Sequence, residues 1–133
     1  MIRGPGRAVA LVLVGSAVGT LLRITGLVAF PPGVDGVPWI TLVENLSGAL
    51  LLGAMAPRLL EREEAALLVG TGILGSYTTF SALALELAVL FMTGAWGAGM
   101  LYLGLSLFLG PPLALAGWAV GGRWEGAPSE GAR

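Results

Sequence analysis

The sequence predicts an all-α membrane domain of four transmembrane helices, the third broken near mid-membrane. Three observations carry that prediction. Hydrophobic residues make up 56% of the 133-residue chain and charged residues only 11%, against about a quarter charged in a soluble domain. The mean hydropathy is +0.87, and the length accommodates about four spans of ~20 residues with little left over. The stretch GILGSYTTFSALALE, Gly72–Glu86, sits inside a long apolar segment yet is a poor helix at its centre. Gly72 and Gly75 are followed by Ser76, Tyr77, Thr78, Thr79, Phe80 and Ser81, nearly all hydroxyl-bearing. Backbone that leaves a helix at membrane depth needs partners in protein or water. Such a break points to a binding or conduction site rather than a tether.

The whole chain, 1–133, is read as one four-helix domain with spans near 8–30, 39–56, 65–92 and 98–120 and a disordered tail at 121–133. The first segment follows a short basic lead, MIRGPGR. A charged start before an apolar run has the form of a signal peptide. The run continues past Gly19 and carries Arg23, with no small-residue cleavage site before a soluble region, so it is read as a span. Gly15, Gly19 and Arg23 are spaced by four and share a helical face. The glycines permit close helix approach, and Arg23 is placed to snorkel to the interface or to meet an anion.

PPGVDGVP, 31–38, is a turn-rich loop, and Trp39 follows at the expected interface. In the second span Thr41, Asn45 and Gly48 share a face. The Asn45 amide must be hydrogen-bonded there, either across to another helix or to a permeating ion. PRLLEREE, 57–64, reads as a solvated loop leading into the next helix. The third segment, 65–92, exceeds the ~20 residues a straight span needs, leaving room for an unwound section. TGAWG, 93–97, is a tight turn. In the last span Ala98, Tyr102, Ser106 and Gly110 recur every fourth residue, and Pro111 and Pro112 are expected to kink the helix.

Composition restricts the chemistry. There is no Cys or His, and all seven basic residues are Arg. Thiolate, imidazole and lysine mechanisms are therefore absent, and the chain is not expected to be an enzyme. A net charge of −1 gives no footprint for nucleic acid. Four spans place both termini beside the 57–64 loop. Arg3, Arg7, Arg58, Arg62, Arg123 and Arg133 lie on that side, whereas 31–38 and 93–97 hold no Arg. The bias puts both termini in the cytoplasm of a cell that inserts the chain into its inner membrane.

GILGSYTTFSALALE resembles the third-helix signature of the Fluc/CrcB family of fluoride channels. TLVENLSGALLLG is similar to the family's second-helix motif, Gly15, Gly19 and Arg23 fit its first-helix pattern, and Tyr102 and Ser106 fit its fourth. The resemblance implies an antiparallel dimer of four-helix subunits, two narrow fluoride pores and a structural sodium ion between the subunits. It implies that the carbonyls of Gly75 and Thr78 hold that ion. It also implies that Asn45 and Phe80 line the pore, with a hydroxyl track of Thr79, Ser81, Tyr102 and Ser106. Glu86 follows on a face similar to that of Thr79 and is placed for a pore mouth or a structural hydrogen bond.

Two residues depart from the family pattern. Leu83 stands where a second pore Phe is expected, so half of an aromatic pair is missing. Glu44, beside Asn45, is an unexpected membrane charge, expected to face an aqueous vestibule. Dual insertion of identical copies favours a near-zero Arg bias, which this chain lacks. Its partner is therefore either a second copy or an oppositely biased relative in an antiparallel heterodimer. Two further classes compete with the channel. A small-multidrug-resistance-type proton-coupled transporter needs a carboxylate in its first helix, where this chain has Arg23 and no acid. A non-transporting membrane assembly subunit would explain the small-residue faces but not the TTFS break.

Overall fold

The computed structural model describes residues 4–30 and 36–123. Arg3, most of the 31–38 loop and the tail from 124 onward, including Arg133, lie outside the described residues. The elements are α1 (Pro5–Ala29), α2 (Trp39–Glu61), α3 (Glu63–Ala65), a π-helical stretch (Ala66–Leu74), α4 (Gly75–Tyr77), α5 (Phe80–Met92) and α6 (Trp96–Arg123). No strand occurs among the described residues. Four helices are long and apolar enough to cross a membrane, the third being Glu63–Met92 taken as a whole. The chain is a multi-pass membrane protein with a bent third span.

Local chemistry sets the helix ends. Pro5 occupies the first turn of α1, where its missing N–H costs nothing. Gly94, at φ 81, ends α5. The Gly94 N–H donates to the Phe91 carbonyl at 3.2 Å and the Ala95 N–H to the Leu90 carbonyl at 2.8 Å. This paired C-terminal closure needs a left-handed residue, and glycine adopts it without strain.

Two close helix pairings build the frame. α1 packs on the π-helical stretch, and α2 packs on α6. Both rest on missing side chains. A Cβ on Gly15 would lie 2.9 Å from the Gly72 Cα, and one on Gly53 would lie 2.9 Å from the Ala114 carbonyl carbon. Lipid offers no hydrophobic drive between helices, so dispersion from close backbone approach holds these pairs. A small core of Val37, Leu42, Leu90 and Tyr102 closes the end of the bundle near the α5–α6 turn. Most large apolar side chains instead face outward, Val28 and Phe108 among them, as a lipid-facing surface requires.

Three sequence expectations are corrected. PRLLE is not a loop: α2 runs through Pro57 to Glu61. Leu59, on that last turn, is buried at 8% exposure and lies beside Gly70, so packing holds the turn despite the hydrogen bond Pro57 cannot make. The last helix, which contains Pro111 and Pro112, reaches Arg123, two residues beyond the start of the expected tail. Glu44 does not face a vestibule in this chain; it is 2% exposed. The remaining charge run has a role: Arg7 Nη2 donates to Glu64 Oε2 at 2.8 Å, tying the start of α1 to α3.

Gly53→Ala should destabilise the chain by about 1–3 kcal/mol through overpacking against the Ala114 carbonyl. Gly122→Ala, which meets open space, should stay within about 1 kcal/mol of the wild type, helix propensity favouring Ala. Thermal unfolding in detergent, followed by circular dichroism, checks both.

Candidate functional site: the break in the third span

The break is two residues long. Thr78 (φ −81, ψ 151) and Thr79 (φ −149, ψ 120) are extended, and helix resumes at Phe80. The Thr78 N–H and its hydroxyl both donate to the Leu74 carbonyl, at 3.0 and 2.9 Å. Thr79 caps α5: its hydroxyl accepts from the Ala82 N–H at 3.2 Å and lies 3.2 Å from the Ser81 hydroxyl.

Asn45 supplies what the missing helix turn does not. The Thr79 N–H donates to Asn45 Oδ1 at 2.7 Å, and Asn45 Nδ2 donates to the Thr79 carbonyl at 3.1 Å. A carboxamide presents one acceptor and one donor side by side, so it pairs with both polar groups of one extended residue. The two bonds fix the orientation of the amide, since only its oxygen can accept from an N–H. One Nδ2 hydrogen remains beyond this clamp. Of the two roles open to Asn45 in the sequence, the interhelical bond is present, with a donor to spare.

The clamp has a consequence for two carbonyls. In an α-helix the Gly75 carbonyl would accept from the Thr79 N–H, and the Thr78 carbonyl from the Ala82 N–H. The first donor goes to Asn45 and the second to the Thr79 hydroxyl. Gly75 and Thr78, the residues expected to hold a cation, are thus the two whose helical donors are diverted to side chains.

Beside the break lies a cavity of about 370 Å³ whose lining includes Asn45, Thr78, Thr79, Phe80, Leu83 and Ser106. Gly75 also reaches it. Phe80 is 80% exposed, so it is not a core residue of this chain. Leu83, in the place of the expected second Phe, lines the cavity and packs on the core cluster. The Ser106 hydroxyl donates to its own helix at the Tyr102 carbonyl, 2.8 Å away, which leaves its oxygen lone pairs toward the cavity.

A second polar group lies one to two turns further along α5. Glu86 accepts from the Thr41 hydroxyl at Oε1, 2.7 Å, and from the Tyr102 hydroxyl at Oε2, 2.6 Å. Thr41 and Tyr102 are 1% and 0% exposed. Thr41 is not among the site residues expected from the sequence, although its i, i+4 spacing from Asn45 on α2 places it on the same face. Arg23 joins neither group; it stands on α1 near Glu44, and its Nε is buried without a partner. Among the described residues no cluster of His, Cys, Asp or Glu could hold a metal ion.

The family model described as CrcB-like protein, Camphor Resistance (CrcB), matches residues 10–118. That match contains both halves of the break, the Asn45 clamp and the Glu86 group. Among curated relatives, the fluoride-specific ion channel FluC 1 of Cutibacterium acnes is 40% identical over 119 residues, covering 84% of this chain and 81% of the relative. A fluoride-specific ion channel FluC of Thermus thermophilus is 42% identical over 121 residues, covering 87% and 94%. FluC 2 of Leifsonia xyli is 37% identical over 123 residues, covering 87% and 84%. With the match running from the first span to the last and the relatives agreeing over most of their lengths, the chain belongs to the CrcB family.

Proposed function

We propose that the chain is a subunit of a passive, fluoride-selective channel that exports cytoplasmic fluoride across the inner membrane. The observation that carries the reading is the clamped break, which brings amide and hydroxyl donors to one cavity at membrane depth in a chain whose relatives are named fluoride channels. Fluoride is small and strongly hydrated, so a pore must replace its water with donors. Bare burial of the charge would cost many kcal/mol. The spare N–H of Asn45 and the hydroxyls of Thr79 and Ser81 supply donors. The positive ring edge of Phe80 adds a weaker one. Beyond them the hydroxyls of Thr41 and Tyr102 continue the polar line, with Ser106 beside it. The Glu86 carboxylate that they hold would repel an anion unless its two donors are shared. Fluoride enters a cell as the weak acid HF and dissociates in a less acidic interior, so an uncoupled pore suffices for export.

A structural sodium ion fits the residues present. The Gly75 and Thr78 carbonyls have lost their helical donors, and carbonyl oxygen suits a hard cation. When bound, the ion would supply positive charge that offsets anion burial. Gly75 is exposed in the single chain. Free backbone does not face lipid, so a second protein surface is needed over the break. An antiparallel dimer meets that need and would also cover Phe80. Lipid contacts the outward apolar surface. The Arg asymmetry places both termini in the cytoplasm.

The same asymmetry, together with Leu83 in the cavity, favours an oppositely inserted relative over a second copy as the partner. A proton-coupled drug carrier is disfavoured because α1 carries no acid.

Liposomes holding the purified chain together with such a relative should release fluoride passively and retain chloride. Proton-driven dye uptake without fluoride release would reverse the reading. Efficient flux from the single chain would identify the homodimer instead. Asn45→Ala strands the two backbone groups of Thr79 and should cost about 1–3 kcal/mol for each. Asn45→Asp keeps the acceptor for the Thr79 N–H, so it should unfold later than Asn45→Ala while passing less fluoride than the wild type. Phe80→Leu should lower flux by roughly 2- to 10-fold, the scale of a ring-edge interaction. The exposure of Phe80 in the chain predicts little change in the chain's own folding.

A further inference from the structure

We infer that Glu44 is the internal counter-ion of Arg23, and that this pair sets how strongly one end of the fluoride pathway attracts the anion. The permeation half of the inference rests on the fluoride reading above; the pairing half does not.

Glu44 lies on α2 immediately before Asn45, yet it takes no part in the clamp. Its Oε1 is packed against Gly26 of α1 so closely that a Cβ at Gly26 would collide with it. Arg23 stands three residues earlier on α1, so both positions present the same face to α2. Glu44 is 2% exposed. Two buried polar atoms lack any hydrogen-bond partner among the described residues, Arg23 Nε and Glu44 Oε2, one a donor and the other an acceptor. Buried polar atoms are rarely left so, and two of complementary kind on facing helices are suited to a bridging water.

Geometry makes the same connection: Thr41, one turn before Glu44 on α2, donates to Glu86 of α5, and Gly26, one turn after Arg23 on α1, packs on Glu44, so the three charged positions follow one route across α1, α2 and α5. Glu86 is already held by the two hydroxyls at the far end of the polar line. An Arg alone at this depth would be a strong anion trap, and a carboxylate alone would be a barrier. Side by side they nearly cancel, which removes the cost of an isolated charge in the membrane. Conduction needs an anion held firmly enough to enter and loosely enough to leave. Glu44 therefore acts on the pathway through Arg23, as a positioning residue that does not touch the ion.

The test uses three variants, Arg23→Gln, Glu44→Gln and the double variant, in the reconstituted channel. Glu44→Gln should lower the fluoride concentration that gives half-maximal flux by about threefold, the scale of one partly screened charge. Arg23→Gln should raise it by a similar factor, and the double variant should return near the wild type. Shifts in the same direction for both single variants, or none for Glu44→Gln, would overturn the permeation half. Thermal unfolding of the same variants reads the pairing without fluoride. Each single variant should melt earlier than the double variant, whereas independent, additive losses would overturn the pairing. A wild type that releases no fluoride, either alone or with an oppositely inserted relative, would remove the functional reading and the permeation half together, while the unfolding cycle still decides the pairing.

Discussion

Two hydrogen bonds between the Asn45 carboxamide and the backbone of Thr79 hold the rest in place. Inside hydrocarbon a helix cannot open unless each freed N–H and carbonyl finds a partner. Among side chains, a carboxamide alone reproduces the donor and acceptor of a peptide group, and α2 brings one to the break. For that to happen α2 must approach very closely. Gly48, one turn after Asn45, makes room for the Thr78 methyl, where a Cβ would collide with it. α2 is itself set by Gly53, Gly117 and Gly121 against α6, and the other half of the third span by Gly15 and Gly19 of α1. Ser47, 3.2 Å from the Tyr77 hydroxyl, adds a lighter link across the same seam. The glycines are thus the means by which one amide reaches one threonine.

Opening the helix in this way redistributes polarity. The N–H groups of Thr79 and Ala82 turn to side chains, so the Gly75 and Thr78 carbonyls are released in their place. Electronegative oxygen is thereby directed to one locality, while the spare Asn45 amide hydrogen and the Thr79–Ser81 hydroxyl pair remain beside the break. A single local event separates a region suited to a cation from a region suited to an anion. Further along, Glu86 sits between Thr41 and Tyr102. A buried carboxylate is tolerable there because each oxygen accepts a short hydroxyl bond. Those same hydroxyl protons are the donors a passing anion would need, so in the proposed channel occupancy of the pathway would be coupled to the grip on Glu86.

Much of this was legible in the sequence because it is written locally. Gly72, Gly75 and the run of hydroxyls mark a weak helix, and the four apolar segments mark the spans. The site's position on 72–81 follows from those residues alone. Other features depend on distant partners. The π-helical register over Ala66–Leu74 differs from an α-helix by one residue per hydrogen bond, and the close approach of α1 at Gly15 and Gly19 bears on that stretch, so no local composition announces it. Glu44 reads as a group seeking water because its sequence neighbours offer no counter-charge. Its surroundings come from Arg23 and Gly26 on another helix. Pro57 reads as a stop, yet Leu59 beyond it packs near Gly70 and carries the helix on. Asn45 carries two roles in the sequence, and only the facing Thr79 backbone separates them.

The chain is also incomplete by its own chemistry. Gly75 is exposed and its carbonyl has no helical donor; Phe80, the first residue beyond the break, is 80% exposed. An exposed Phe is at ease in lipid, but a free carbonyl is not. In the proposed channel the covering surface would therefore be protein or enclose water, and it would present something favourable to oxygen. A related subunit inserted the other way round would bring a second break of the same kind, adding carbonyls to carbonyls. That addition is repulsive unless a cation lies among them. The proposed dimer and the proposed sodium ion are thus not separate assumptions: each removes the objection to the other, and both originate in the choice of Asn45 to bond Thr79 instead of leaving its N–H to Gly75.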